Sequence, residues 1–254
     1  MHILETIAAA FSMFSAIPMP RTSTARYLLC AFPLVGAAIG LCCAAWGVLC
    51  DWMSLPGILR GAGWTLIPVA LTGGIHLDGY ADTSDALSSH APPERRREIL
   101  KDPRCGAFAV IRMCAYFVGY FALCASLDSY GPMCAAFVLS RSLSGAALTL
   151  LPISDASSLA RAFVQTPDAS RVRVILCAES CAAALALWIL GGASGLLMTG
   201  AAAAVMWRYA IVARRDFGGV SGDLAGWFLQ KSEFWMLAAL VFTRYAQAAA
   251  HRVM

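Results

Sequence analysis

The chain has 254 residues, 59% of them hydrophobic and only 13% charged, against about 45–50% and about 25% in ordinary globular domains. A water-soluble fold has no interior large enough to hide that apolar surface, so the composition excludes one and points to a bilayer. The net charge of +4, with no basic tract interleaved with aromatics, argues against nucleic acid as a partner.

The first apolar run is Thr6 to Met19. Glu5 precedes it while Arg21 and Arg26 follow it, the reverse of a secretory signal, so it reads as an interfacial or re-entrant helix ending near Pro18 and Pro20. Leu28 to Cys50 carries no charge and is long enough as helix to cross a hydrocarbon core of roughly 30 Å.

Further spans are expected over Gly61 to Leu77, Cys105 to Leu127, Pro132 to Ile153, Val174 to Gly191, Ser194 to Val212 and Phe234 to Ala250. The fold class is therefore all-α: a polytopic transmembrane helical bundle of about six to seven spans. Pro92 and Pro93 open a polar stretch, Glu94 to Arg104, that reads as a short amphipathic helix. No internal repeat or linker divides the chain, so residues 1–254 read as a single integral membrane domain. The ten cysteines form no CxxC pair and lie mostly in apolar segments, where they read as small buried hydrophobes.

With seven spans and the N-terminus inside, most of the nineteen Lys and Arg collect in alternate loops, on one side. They include Arg95 to Arg104, Arg171, Arg173, Arg214, Arg215 and Lys231; the other side keeps only Arg60 and Arg252. Positive charge marks the cytoplasmic face. The three polar motifs of the chain all fall on that face and could form one site.

The densest motif is His76-Leu77-Asp78-Gly79-Tyr80-Ala81-Asp82-Thr83-Ser84-Asp85. Asp78, Asp82 and Asp85 share one face of a helix. Carboxylates stacked this closely repel one another, and the spacing is unfavourable near lipid unless a cation neutralises it. Mg²⁺ fits best, because it takes oxygen ligands and binds through one or two carboxylates plus substrate phosphates; His76 is a poor ligand for it. The bland alternative is a solvated helix start, with Asp78 as its cap.

The second motif, Lys101-Asp102-Pro103-Arg104-Cys105-Gly106, ends a basic stretch, Arg95-Arg96-Arg97, whose charges could clamp phosphate oxygens or rest on an anionic leaflet. The third, Arg214 to Asp223, combines Asp216 and Asp223 with Gly218, Gly219, Ser221 and Gly222; glycines let backbone N–H groups approach phosphates. Among the charges inside spans, Arg141, Glu179, Arg112 and Arg244, Arg141 ranks first as a substrate-binding residue.

At these residues the chain resembles the cobalamin synthase family of adenosylcobinamide-GDP ribazoletransferases. The resemblance covers most of the chain. It rests on Phe14 to Pro20, Phe32-Pro33-Leu34-Val35-Gly36, Leu71 to Asp82, Glu94 to Gly106, and Phe217 to Asp223 with Glu233. Ala86 and Ala109 stand where the family usually has Gly, and Ser221 where it usually has Thr; none of these removes a carboxylate or hydroxyl.

The resemblance implies a Mg²⁺-dependent transfer at a bacterial cytoplasmic (inner) membrane. A hydroxyl of α-ribazole, or of its 5′-phosphate, attacks the cobinamide-side phosphorus of adenosylcobinamide-GDP and expels GMP on the cytoplasmic face. Cleaving a pyrophosphate is mostly positioning and charge neutralisation. In that reading Asp78, Asp82, Asp85, Asp102 and Asp223 are the metal candidates and His76, Asp82 and Asp85 the catalytic ones. Lys101, Arg104, Gly219, Ser221 and Arg141 bind substrate. A homo-oligomer is compatible with the sequence.

Two rivals stand beside it. A lipid-forming CDP-alcohol phosphotransferase performs the same displacement, but its Ala-Arg step is replaced here by Ala81-Asp82. A secondary transporter would call for repeats between halves.

Overall fold

The computed structural model describes residues 3–20, 27–154, 161 and 168–253. Among them the chain is helical almost throughout, and its only β feature is a single parallel bridge between Ile153 and Val220. The helices are α1 (Ile3–Phe14), α2 (Leu28–Trp52), α3 (Gly57–Thr72), α4 (Ile75–Ser88), α5 (Pro93–Ile99), α6 (Ala107–Ala125), α7 (Gly131–Leu150), α8 (Ala169–Gly191), α9 (Ala193–Phe217) and α10 (Gly222–Val253).

Five of the described helices, α2, α6, α7, α8 and α9, are each long and apolar enough to cross a bilayer, and α3 with α4 brings the number to six if the pair is one span. Leu41, Val48, Val118, Val174, Ile189 and Trp207 point outward in the open, as suits faces that lipid covers. At the centre stands α7, with 72% of its apolar window buried against 17% for α8; it packs on α2, α8 and α10.

The structure corrects the expected elements in three places. Gly61 to Leu77 is not one rod: α3 stops at Thr72, and α4 leaves it at 96°. Gly73 and Gly74 make the corner at φ 63° and 78°, a left-handed geometry that glycine adopts without a Cβ clash. The bend turns the aspartate-bearing α4 away from the line of the apolar α3.

Phe234 to Ala250 is not a separate element either, but the distal part of α10, which runs for 32 residues from Gly222, about 48 Å at 1.5 Å per residue. The amphipathic helix expected over Glu94 to Arg104 closes at Ile99. Arg21 and Arg26, used in the charge count, lie outside the described residues.

The cysteines also differ from expectation. All ten are free, yet only Cys43, Cys50 and Cys124 are buried; Cys42, Cys114, Cys177 and Cys181 face outward from spanning helices, where a thiol is apolar enough for lipid.

Polar contacts fasten the two ends of the bundle separately. At one end Arg60 Nη1 donates to the Leu127 carbonyl at 2.6 Å, Tyr130 donates to Asp51 at 2.8 Å, and Arg244 pairs with Asp128. At the other, Arg96 pairs with Asp216 at 2.8 Å, Ser154 N–H donates to the Val220 carbonyl at 3.0 Å, and Ala109 N–H donates to Asp85 at 3.1 Å. The segments bearing all three polar motifs therefore share one end.

Candidate active site

The site is built where α4 crosses the first turns of α10. Ser221 starts α10 by accepting the Leu224 N–H at 3.3 Å, as a capping hydroxyl does, and Asp223 follows in the first turn. The two helices meet backbone to backbone. A Cβ on Gly79 would fall 2.6 Å from the Asp223 carbonyl oxygen, and one on Gly226 would fall 2.7 Å from that of His76.

Only glycine permits this approach, and it sets Asp223 against the acidic face of α4. Asp78, then Asp223, then Asp85 are the charges that bear on Asp82. Asp78 is exposed, Asp82 and Asp223 half-buried. Among the described residues no ion pair or side-chain hydrogen bond engages the carboxylates of these three.

Asp85 and Asp102, expected in the same shell, are engaged elsewhere. Asp85 Oδ1 accepts the Ala109 N–H, and a side chain at Gly106 would collide with the Asp85 carboxylate. It thus caps α6 from a neighbouring helix, where a negative charge complements the N-terminal dipole. Asp102 accepts from Arg104 Nη2 at 2.7 Å, Nε at 2.9 Å and the backbone N–H at 3.0 Å. The guanidinium first, and then the backbone N–H, hold this carboxyl down to about 2.

The five carboxylates therefore do not close on one point, and among the described residues no three His, Cys, Asp or Glu gather as a metal cage. What remains is Asp78, Asp82 and Asp223, an oxygen donor set without a compensating cation. That chemistry fits Mg²⁺, which needs only one or two carboxylates when substrate phosphates and water complete its shell.

The expected phosphate donors are largely spent within the chain. Arg95 pairs with Glu98 at 2.6 Å and Arg97 with Glu94 at 3.2 Å, while Arg96 joins α5 to the buried Asp216 at the end of α9. Arg104 is tied to Asp102, which leaves Lys101 as the exposed cation of that loop without a side-chain partner among the described residues. Gly218 ends α9 in the left-handed region, Gly219 N–H donates to the Ala213 carbonyl at 2.8 Å, and Val220 N–H donates to that of Pro152 at 2.8 Å. The Gly219 N–H is thus spent inside the loop that delivers Asp223, while Ser221 accepts from Leu224 and keeps its own O–H as a donor.

Arg141 is corrected in the same way. It is 1% exposed and pairs with Glu233 on α10, also bonding to Ser140 Oγ and the Phe137 carbonyl. A guanidinium inside the bundle needs a counter-charge, and Glu233 supplies it. His76 is buried beside Phe32, ring centroids 5.8 Å apart, with its Nε2 unbonded.

Two cavities meet at Asp78. An open groove of about 570 Å³ runs between α4 and α6, past Gly73, Ala81, Met113 and Phe117. A smaller pocket of about 200 Å³ lies between α1, α2, α4, α7 and α10, with Asp78 and Asp223 both on its wall.

Sequence reasoning counted Lys231 only as a loop cation, whereas it lies within α10, two helical turns beyond Asp223. Its ammonium sits 5.6 Å from the Tyr80 ring centroid and faces Arg112 and Arg208. The available signal was a lone lysine in an apolar helix.

Comparison with known proteins agrees with the motif resemblance. The adenosylcobinamide-GDP ribazoletransferase of Lachnoclostridium phytofermentans is 36% identical over 247 residues, 95% of each chain. Those of Geobacillus thermodenitrificans and Azorhizobium caulinodans are 31% identical over 242 residues and 30% over 258, covering 88% and 96% of this chain and 90% and 98% of their own. No solved structure matches. The family model for cobalamin-5-phosphate synthase matches residues 6–241, and the chain belongs to that family.

Proposed function

We propose that this chain is a membrane-embedded adenosylcobinamide-GDP ribazoletransferase acting late in cobalamin synthesis. The observation that carries this reading is the α4–α10 crossing at Gly79 and Gly226, which gathers Asp78, Asp82 and Asp223 without a neutralising cation. A hydroxyl of α-ribazole, or of its 5′-phosphate, attacks the phosphorus on the cobinamide side of the pyrophosphate. A new P–O bond forms, the pyrophosphate P–O bond breaks, and GMP departs with the electron pair. The hydroxyl proton passes to a carboxylate, for which Asp82 is the best-placed acceptor.

Mg²⁺ held by one or two of Asp78, Asp82 and Asp223 would neutralise the pyrophosphate oxygens as charge builds on the leaving GMP. The chain's own part is positioning: the capped start of α10 and the glycine crossing fix the carboxylates on rigid helices. Lys101, exposed on the same end, meets the incoming phosphates. That end faces the cytoplasm, because Arg95, Arg96, Arg97, Lys101, Arg104, Arg214 and Arg215 crowd it.

The test supplies purified protein in lipid with adenosylcobinamide-GDP, α-ribazole and Mg²⁺, and measures GMP and adenosylcobalamin together. Equal yields of the two are expected. No GMP with any divalent cation would sink the reading.

A further inference from the structure

We infer that the pocket of about 200 Å³ between α1, α2, α4, α7 and α10 is the seat of the acceptor's aromatic base. The inference rests on the transferase reading, since it names which substrate enters which side of the same carboxylates. Phe14, Phe32, Leu148 and Leu229 give the pocket apolar walls, and Asp78 and Asp223 border it. An acceptor that places its ribose hydroxyl at those carboxylates must send its base either into this pocket or into the groove between α4 and α6.

Size and polarity choose the pocket. Its volume lies below the roughly 300 Å³ at which drug-sized ligand sites begin, so it admits a fused two-ring base and excludes a corrin. With Asp78 and Asp223 given to the metal and the ribose, the pocket keeps only His76 and Ser144 as polar side chains, too few for the several donors and acceptors on the edge of the donor's guanine. A benzimidazole-type base has two nitrogens, one of them bonded to the sugar, and therefore offers a single free acceptor.

The pocket holds a group to meet it. His76 is only 6% exposed and lines the cavity, and its Nε2 has no hydrogen-bond partner. Buried polar atoms are seldom left unbonded, so an imidazole that lines a ligand cavity and has no partner for its covered Nε2 is a recognition group, brought to its partner by a turn of the ring. As the Nε2–H tautomer it donates to the free base nitrogen, while Phe14 and Phe32, with ring centroids 4.1 Å apart, form an aromatic wall for the base.

Two variants test this. Met13→Trp narrows the pocket from the half-buried side of α1, and His76→Phe keeps a flat ring while removing the nitrogen. Binding of α-ribazole to protein in lipid nanodiscs is followed by its own fluorescence, which needs no turnover, and steady-state KM is measured for each substrate separately. Each variant is expected to weaken α-ribazole binding and raise its KM by about tenfold, with the KM for adenosylcobinamide-GDP within twofold of the parent.

An unchanged affinity for α-ribazole in both variants overturns the inference, as does an equal rise in both KM values. Should the parent release no GMP, the transferase reading fails; loss of α-ribazole binding in the variants would still support the pocket, and binding equal to the parent would still overturn it. If Met13→Trp does not fold, His76→Phe alone decides by the same measure.

Discussion

Asp82 and Asp85 lie within one turn of α4, yet their surroundings separate them. Asp82 faces other carboxylates, whereas Asp85 accepts the Ala109 N–H at the start of α6. Asp82→Asn removes the charge with little change of shape, so it is expected to lower turnover at least about a hundredfold while insertion and folding persist, as read by GMP release and by size-exclusion behaviour in detergent. Asp85→Asn keeps an oxygen acceptor for the cap and should retain at least about ten times the activity of Asp82→Asn. Asp85→Ala loses the cap and should cost about 1 kcal/mol, measured by thermal unfolding. Equal loss of activity in the two Asn variants would return Asp85 to the catalytic group. The sequence made all three α4 aspartates look alike, because spacing on one helix reports the shared face but not what a second helix brings to it. Asp223 was legible only as a neighbour of glycines; its place beside Asp82 depends on a close approach that involves Gly79 and Gly226, residues far apart in the chain.

Between α7 and α10 the decisive element is the buried pair of Arg141 and Glu233, with side chains 1% and 2% exposed. Removing one charge strands the other in a low-dielectric interior, so Glu233→Gln should destabilise the protein by about 3 kcal/mol or more, visible as a marked fall in its unfolding midpoint in detergent. A substrate-binding role for Arg141 would instead leave stability near the parent value and raise a substrate KM. Composition alone made Arg141 a functional candidate, since a charge inside a span is costly. Its partner lay on a helix whose packing against α7 no local pattern discloses. The corner between α3 and α4 was missed for a related reason. Gly73 and Gly74 sit inside an unbroken apolar run, which hydropathy reads as one rod, and only their positive φ values turn α4 by 96°.

The arrangement of the whole molecule makes the site single-sided. The α4 aspartates, the α5–α6 loop and the α9–α10 loop meet at one end, joined by Arg96 to Asp216 and by Asp85 to Ala109, while Arg60, Asp51 and Tyr130 fasten the other. That division was legible from charge counting, because Lys and Arg segregate by side whatever the packing; the pairing of the loops within one end was not, since it depends on which helices are neighbours. Both parts can be checked together in sealed inside-out vesicles, using a background from which the exposed cysteines Cys42, Cys105, Cys114, Cys177 and Cys181 have been replaced. Single cysteines at His90 and Arg214, both exposed at the site end, should react with a membrane-impermeant maleimide added outside these vesicles, which present the cytoplasmic face. A cysteine at Met53, 53% exposed in the α2–α3 turn, should react only after the vesicles are opened. Reaction of positions 90 and 214 from opposite sides would separate the loops and dissolve the site; reaction of both only after opening would keep the site and reverse its orientation, placing GMP release outside the cell, where its nucleotide substrate is not made.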